Sequence, residues 1–163
     1  MSLSEVAVAT ELAIAPQPLW ESVCRLEGVN RELSPWLRMT APPGLEGATI
    51  ADLEPGKPAG RCRLLLFGLL PIDYDDLTIA EVDPPHRFLE RSRMLTIDPW
   101  EHERTIRSVS AATSVLTDRL RFRLRLPLRA IPGSDRLAAA VVRVIFRHRH
   151  RRLAKLYGVP TDR

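Results

Sequence analysis

Between Ser114 and Leu126, apolar Leu116, Leu120, Phe122, Leu124 and Leu126 hold even positions while Arg119, Arg121, Arg123 and Arg125 hold odd ones. A period of two belongs to a strand with one face buried and the other in water; on a helix the same residues would scatter leucine around the axis. Leu128 to Asp135, with Pro132 and Gly133, breaks the pattern. An apolar stripe at helical spacing then runs to Tyr157, with Gly158 and Pro160 as stop signals and Ser134 or Asp135 as the predicted N-cap. A half-buried strand followed by one long amphipathic helix implies a helix laid across a sheet face, where each apolar surface covers the other.

The upstream chain supplies the rest of that sheet. Val6, Val8, Leu12 and Ile14 share one parity in a strand over residues 5–14, which Pro16 and Pro18 end. Leu19, Trp20, Val23, Cys24 and Leu26 follow at helical spacing with Gly28 as the predicted stop, and a second short helix spans Asn30 to Ser34, closed by Pro35. Leu37 to Asp52 is weakly patterned, and Glu54 to Gly60 reads as a turn. Strands are then predicted at Arg61 to Phe67, Ile72 to Val82, Arg87 to Thr96, Trp100 to Ser110 and Ser114 to Leu126, joined by short turns such as Asp83-Pro84-Pro85-His86. The order is strand, two helices, about six strands and one long helix: an α+β chain with an antiparallel meander.

At 163 residues, 45% hydrophobic and 27% charged, the chain suits one domain spanning 1–163. Its two cysteines, Cys24 and Cys62, form no CxxC and have no histidine beside them in sequence, so no metal site, cofactor or disulfide framework is expected. The opening Met-Ser-Leu-Ser-Glu lacks a basic stretch ahead of an apolar one, and no apolar run approaches the roughly 20 residues that cross a bilayer, so a cytoplasmic chain without membrane insertion is expected. Only Lys57 and Lys155 among 24 basic residues are lysine, which suggests a GC-rich bacterial source.

Residues 1–103 hold 9 basic and 17 acidic side chains, against 15 and 3 in residues 104–163. Such asymmetry marks either a polyanion-binding surface or cross-strand pairing within one fold. Without an aromatic-rich basic groove, pairing is the expectation and nucleic acid is not the expected partner.

Several motifs extend this reading: Ile14-Ala-Pro with Trp20, Glu32-Leu-Ser-Pro-Trp36, Ile79-Ala-Glu-Val-Asp-Pro-Pro with Arg87-Phe88, Trp100-Glu-His102, Thr117-Asp-Arg, and Phe146 to Leu153. In that order, covering nearly the whole chain, they make it resemble the START or helix-grip superfamily (SRPBCC), also described as polyketide cyclase/dehydrase and lipid-transport proteins. The resemblance implies a curved antiparallel sheet of about seven strands around a long C-terminal helix, with two short helices after strand one. Members bind lipids, hormones and polyketides, and some catalyse reactions, so it does not single out a function.

In this fold one sheet face looks at the C-terminal helix, and parity then selects the cavity residues. A three-residue loop Ala111 to Thr113 pairs residues whose numbers sum to 224, placing Glu103 opposite Arg121 and Glu101 opposite Arg123 on the outer face. Trp100, His102 and Arg104 share the inner face with Leu120 and Phe122, and Phe88, Glu90, Ser92 and Met94 join them. Glu90 is expected to satisfy Arg104, with His102 bonded beside it. The terminal helix offers Ala138, Val141, Val142, Ile145, Leu153 and Leu156, with Arg149 in the stripe, snorkelling outward or reaching a ligand, and His148 at its edge. The expected function is binding or carriage of a small, mostly apolar ligand by a monomer or weak homodimer. The alternative is a cyclase, dehydratase or hydrolase using His102 as acid or base, Glu90 to set its tautomer and Arg104 to stabilise an oxyanion. No GxSxG, phosphate-binding glycine loop or HExxH accompanies these residues.

Overall fold

The computed structural model describes residues 3–161; Met1 and Ser2, part of the stretch read as lacking a leader, lie outside them. Strand β1 (Ser4–Leu12) leads into helices α1 (Pro16–Val23) and α2 (Leu26–Leu33) and the short β2 (Leu37–Met39). Strands β3 (Pro58–Leu66), β4 (Leu70–Asp83), β5 (Arg87–Met94), β6 (Ile97–Ser110) and β7 (Thr113–Leu124) form the meander, and helix α3 (Ser134–Tyr157) closes the chain. The seven strands make one antiparallel sheet in the order β1-β7-β6-β5-β4-β3-β2. Register shifts in β3–β4, β4–β5 and β6–β7 are bulges of the kind that bend a sheet, and the sheet curls as a half-barrel.

Strand parity sorts the side chains. Leu116, Leu120, Phe122 and Leu124 of β7 are buried, whereas Leu126 lies past the strand end and is exposed. From Trp100 to Ser108 the opposite residues of β6 and β7 sum to 222, not 224: Trp100 faces Phe122 and His102 faces Leu120, because a two-residue turn pairs Ser110 with Thr113 and a bulge between Ser108 and Ser110 shifts the register by one more. Glu101 therefore stands opposite Arg121, which it reaches at 3.4 Å, and Glu103 stands opposite Arg119. Because the error is two residues, every side chain keeps its face.

Gly28 is not a helix stop. It lies inside α2, where a Cβ would come within 1.9 Å of the Ser22 carbonyl oxygen, so only glycine lets α2 approach the end of α1 this closely. At the other end of the chain Gly133, in the left-handed region at φ 81°, caps α3 in place of Ser134 or Asp135.

Helix α3 packs chiefly on β1, with contacts to β7 and α2. Val142 and Phe146 join Val6, Trp100, Leu120 and Phe122 in one apolar cluster, and Leu153 joins Leu12, Leu19, Trp20 and Leu116 in another. The stripe predicted on α3 is rotated slightly: Phe146 is buried within it, while Val141 and Leu156 are half exposed. His148 stays at the edge, donating to the Ser34 carbonyl at 2.8 Å and stacking on Trp36. Contact with β1 and β7 leaves α3 away from the curled β3–β5 side, and the space between is a cavity.

Candidate ligand-binding cavity

The cavity encloses about 330 Å³ between α3, the α1–α2 pair and the inner faces of β3 to β6. Its walls are mostly apolar, with Val29 and Leu33 from α2, Leu64 and Ile79 from the sheet, and Val142 and Ile145 from α3. Of the residues predicted to face it, Phe88, Glu90, Met94, Trp100, His102, Arg104, Val141, Ile145 and Arg149 line it. Leu120 and Phe122 do not; fully buried beneath α3, they are core. Ser92 is not among the lining residues either: it is buried behind Asp75 and Glu90, its hydroxyl accepting the Thr78 backbone N–H at 3.1 Å.

One cavity wall is a buried charge network whose centre differs from the predicted one. Arg104 is held by Asp118 and Glu32, not by Glu90. Its Nε and Nη2 donate to the two Asp118 oxygens at 2.7 Å each, and Nη1 and Nη2 donate to Glu32 at 3.0 Å. Arg149 does not snorkel to solvent: it is buried, and its Nε donates to Glu32 at 2.8 Å. Asp118 also accepts His102 Nε2 at 2.8 Å and His150 Nε2 at 2.9 Å, while His150 Nδ1 takes the Thr10 hydroxyl at 2.8 Å. Four donors saturate the lone pairs of the Asp118 carboxylate. On the other side of His102, Glu90 Oε2 lies 3.5 Å from Nδ1.

The electrostatics follow from this geometry. Burial opposes ionisation of Asp118 and Glu32, but the Arg104 guanidinium outweighs it, holding Asp118 well below and Glu32 below the ordinary carboxylate range. Burial likewise opposes a charge on His102, yet Asp118 and Glu90 on its two nitrogens raise its pKa. Asp75, inward-facing on β4 beside Glu90, is the opposite case: burial, then the Glu90 charge, pushes its carboxyl up to about 9. Asp75 Oδ1 and Glu90 Oε1 have no other partner among the described residues, an arrangement suited to one shared proton. With Asp75 neutral and His102 protonated, the state its raised pKa favours, the carboxylates of Glu32, Glu90 and Asp118 balance the cations Arg104, Arg149 and His102, and this network carries no net charge. Cys24 and Cys62 also line the cavity, and burial pushes both thiols up to about 12, away from the reactive thiolate form. Among the described residues no cluster of three or more His, Cys, Asp and Glu side chains could hold a metal ion.

Sequence reasoning missed Glu32, Asp75, Asp118 and His150, though a signal existed for each. Asp118 occupies an even position in β7, the polar member of an inward row. Glu32 lies three residues after Val29 and next to Leu33, on the apolar side of α2, and His150 is spaced four from Phe146 and three from Leu153. Asp75 shares parity with the inward Leu77 and Ile79.

Residues 10–157 match the family model described as Domain of unknown function (DUF8410). The chain belongs to this family. No curated protein matches it. Solved structures place the DUF8410 chain in the START-like helix-grip fold. It is similar to an aromatase/cyclase from a Streptomyces species, with 14% identity, TM-score 0.70 and coverage of 94% of this chain and 93% of that one. A protein from Chromobacterium violaceum aligns at 15% identity and TM-score 0.69 over 96% and 99% of the two chains. A START superfamily protein from Mycobacterium smegmatis aligns at 13% identity and TM-score 0.62 over 93% and 98%. At these identities the likeness concerns the fold. No helix among the described residues is long and apolar enough to cross a membrane.

Proposed function

We propose that the whole chain acts as one domain that binds a small, mostly apolar and uncharged molecule in this cavity. Its polar end would meet Glu90, His102 and Arg149. The observation that carries this reading is an apolar space of about 330 Å³ ending on a wall whose charges neutralise one another. That volume is at the lower end of the roughly 300–1,000 Å³ typical of small-molecule sites. A charged ligand would add an uncompensated charge to a desolvated network, whereas a neutral hydroxyl or carbonyl costs far less there. The aromatase/cyclase and START relatives support a ligand-binding fold. On this reading the chain is a cytoplasmic monomer or weak homodimer and nucleic acid is not its partner: on the outer sheet face Glu101 stands between Arg91 and Arg121, and Glu103 binds Arg87.

The test is thermal. A neutral aromatic probe such as 2-naphthol, or a medium-chain fatty alcohol, at a hundredfold excess over its Kd stabilises by about 2.7 kcal/mol, a rise of roughly 5–10 °C for a chain of this size. Ile145→Trp, filling the cavity from α3, removes the rise while leaving the protein folded. A panel of such probes giving no shift with the parent protein removes the binding reading.

A second reading, an enzyme, draws on one observation: Asp75 and Glu90 stand together on the cavity wall with His102 beside them. Such a pair can give and take a proton in a dehydration or enolisation. Arg104, with four of its five N–H groups engaged by Glu32 and Asp118, is spent on structure rather than on a developing oxyanion. With a substrate in hand, His102→Ala that binds but does not turn over would favour the enzyme.

A further inference from the structure

The exposed apolar side chains are not spread evenly. In an antiparallel meander alternate turns lie at the same end, so the β3–β4 turn, the β5–β6 turn and the exit of β7 share one end with the start of α3. Hydrogen bonds join them: Asp73 at the start of β4 accepts the Leu95 N–H and the Thr96 hydroxyl, and the Arg125 N–H reaches the Thr96 carbonyl. The β3–β4 turn presents Phe67, Leu69 and Leu70, with Leu69 85% exposed. Leu95 projects from the next turn, Leu126 and Ile131 from the link to α3, and Leu137 from the first turn of the helix, all exposed. A large apolar surface left in water marks a contact site.

Two further observations say what covers it. The cavity reaches this end, because Ile72 and Val141 line it and are themselves exposed. The rim is also basic. Arg38, against Gly68 of the turn, and Arg129 and Arg136 by the helix start have no carboxylate within 4.0 Å among the described residues, while Arg93 and Arg125 share the single carboxylate of Asp98. A symmetric pairing of two copies would set these arginines against one another. A bilayer with anionic headgroups accepts leucine and phenylalanine below the phosphates and guanidinium groups among them.

We propose that this end docks on an anionic phospholipid bilayer, with the cavity mouth facing the lipid, so that an apolar ligand enters or leaves without crossing water. The passage of ligand rests on the binding reading above; the docking does not.

Co-sedimentation with vesicles of phosphatidylcholine, alone or mixed with phosphatidylglycerol, tests it. The protein should pellet with the mixed vesicles, and less so as salt rises. Leu69→Asp with Leu70→Asp should abolish pelleting, and Arg129→Gln with Arg136→Gln should weaken binding to mixed vesicles roughly 30-fold, at about fivefold per arginine. Leu69, Leu70 and Arg136 are exposed, and Arg129 is half-buried with no ion-pair partner among the described residues, so the melting temperature and 2-naphthol shift of both double variants should match the parent. Pelleting by a parent that shows no 2-naphthol shift would keep the docking and remove the passage of ligand. Failure of the parent to pellet with mixed vesicles overturns the proposal, as does pelleting indifferent to the leucine substitutions. A concentration-dependent dimer abolished by those substitutions, without vesicle binding, would assign the face to a second copy and overturn it too.

Discussion

Asp118 holds more of this interior together than any other carboxylate in the network. It is fully buried on β7 and accepts four donors from Arg104, His102 and His150, joining β6 to α3. Replacing it with alanine strands a guanidinium that only Glu32 still compensates, and removal of one partner from a buried ion pair costs about 3–5 kcal/mol. Glu90 differs: its contact with His102 is 3.5 Å long, the amide of Glu90→Gln still accepts a hydrogen bond there, and Asp75, no longer facing the Glu90 charge, can release its proton and restore the balance, so that variant should lose about 1 kcal/mol or less. Urea unfolding of the two variants measures the contrast. Equal losses would mean that Arg104 does not depend on Asp118 as the geometry requires.

The α1–α2 pair carries Glu32, the network's carboxylate from outside the sheet, and one glycine sets its position. Gly28 and Glu32 are four residues apart on α2, so the close approach of Gly28 to the Ser22 carbonyl fixes the tilt that brings Glu32 to Arg104 and Arg149. Glycine to alanine inside a helix ordinarily gains about 1 kcal/mol. Here the added methyl meets a backbone oxygen at 1.9 Å, and the helices must part. Gly28→Ala should therefore lose about 1–3 kcal/mol, the usual cost of overpacking. A thermal melt decides by its sign: a gain in stability would show that α2 does not seat against α1 as described.

For the whole molecule, the buried titrations combine into one pH profile. Asp118 and Glu32, with lowered pKa values, add stability above their unfolded values near about 4, and it is lost as pH falls through the folded ones. His102, with a raised pKa, adds stability below its unfolded value of about 6.5, which disappears as pH rises through the folded value. Asp75 acts in the same direction: the unfolded chain releases its proton near about 4, while the fold keeps it to about 9, so stability drains away across that window. The melting temperature should peak near about pH 5 and decline toward about pH 9, and Asp75→Asn should flatten the decline and melt above the parent at about pH 8. A parent profile level across that interval would show that Asp75 is not held protonated. These groups also show where reading the chain reaches its limit. The side each residue faces within a strand or helix follows from backbone period alone, so the inward row of β6 and β7, the long terminal helix and the presence of Glu90, His102 and Arg104 on one wall were legible from residue order. A two-residue slip in register left them unharmed. Which carboxylate neutralises which guanidinium was not legible: Glu32 lies 72 residues from Arg104 and 117 from Arg149, and periodicity carries no information about partners that meet only when separate elements pack. Nor did parity separate Leu120 and Phe122 from Trp100. All three face inward, but α3 packs on β1 and β7 and stands off from the curled β3–β5 side, so one row is core at one end and cavity wall at the other.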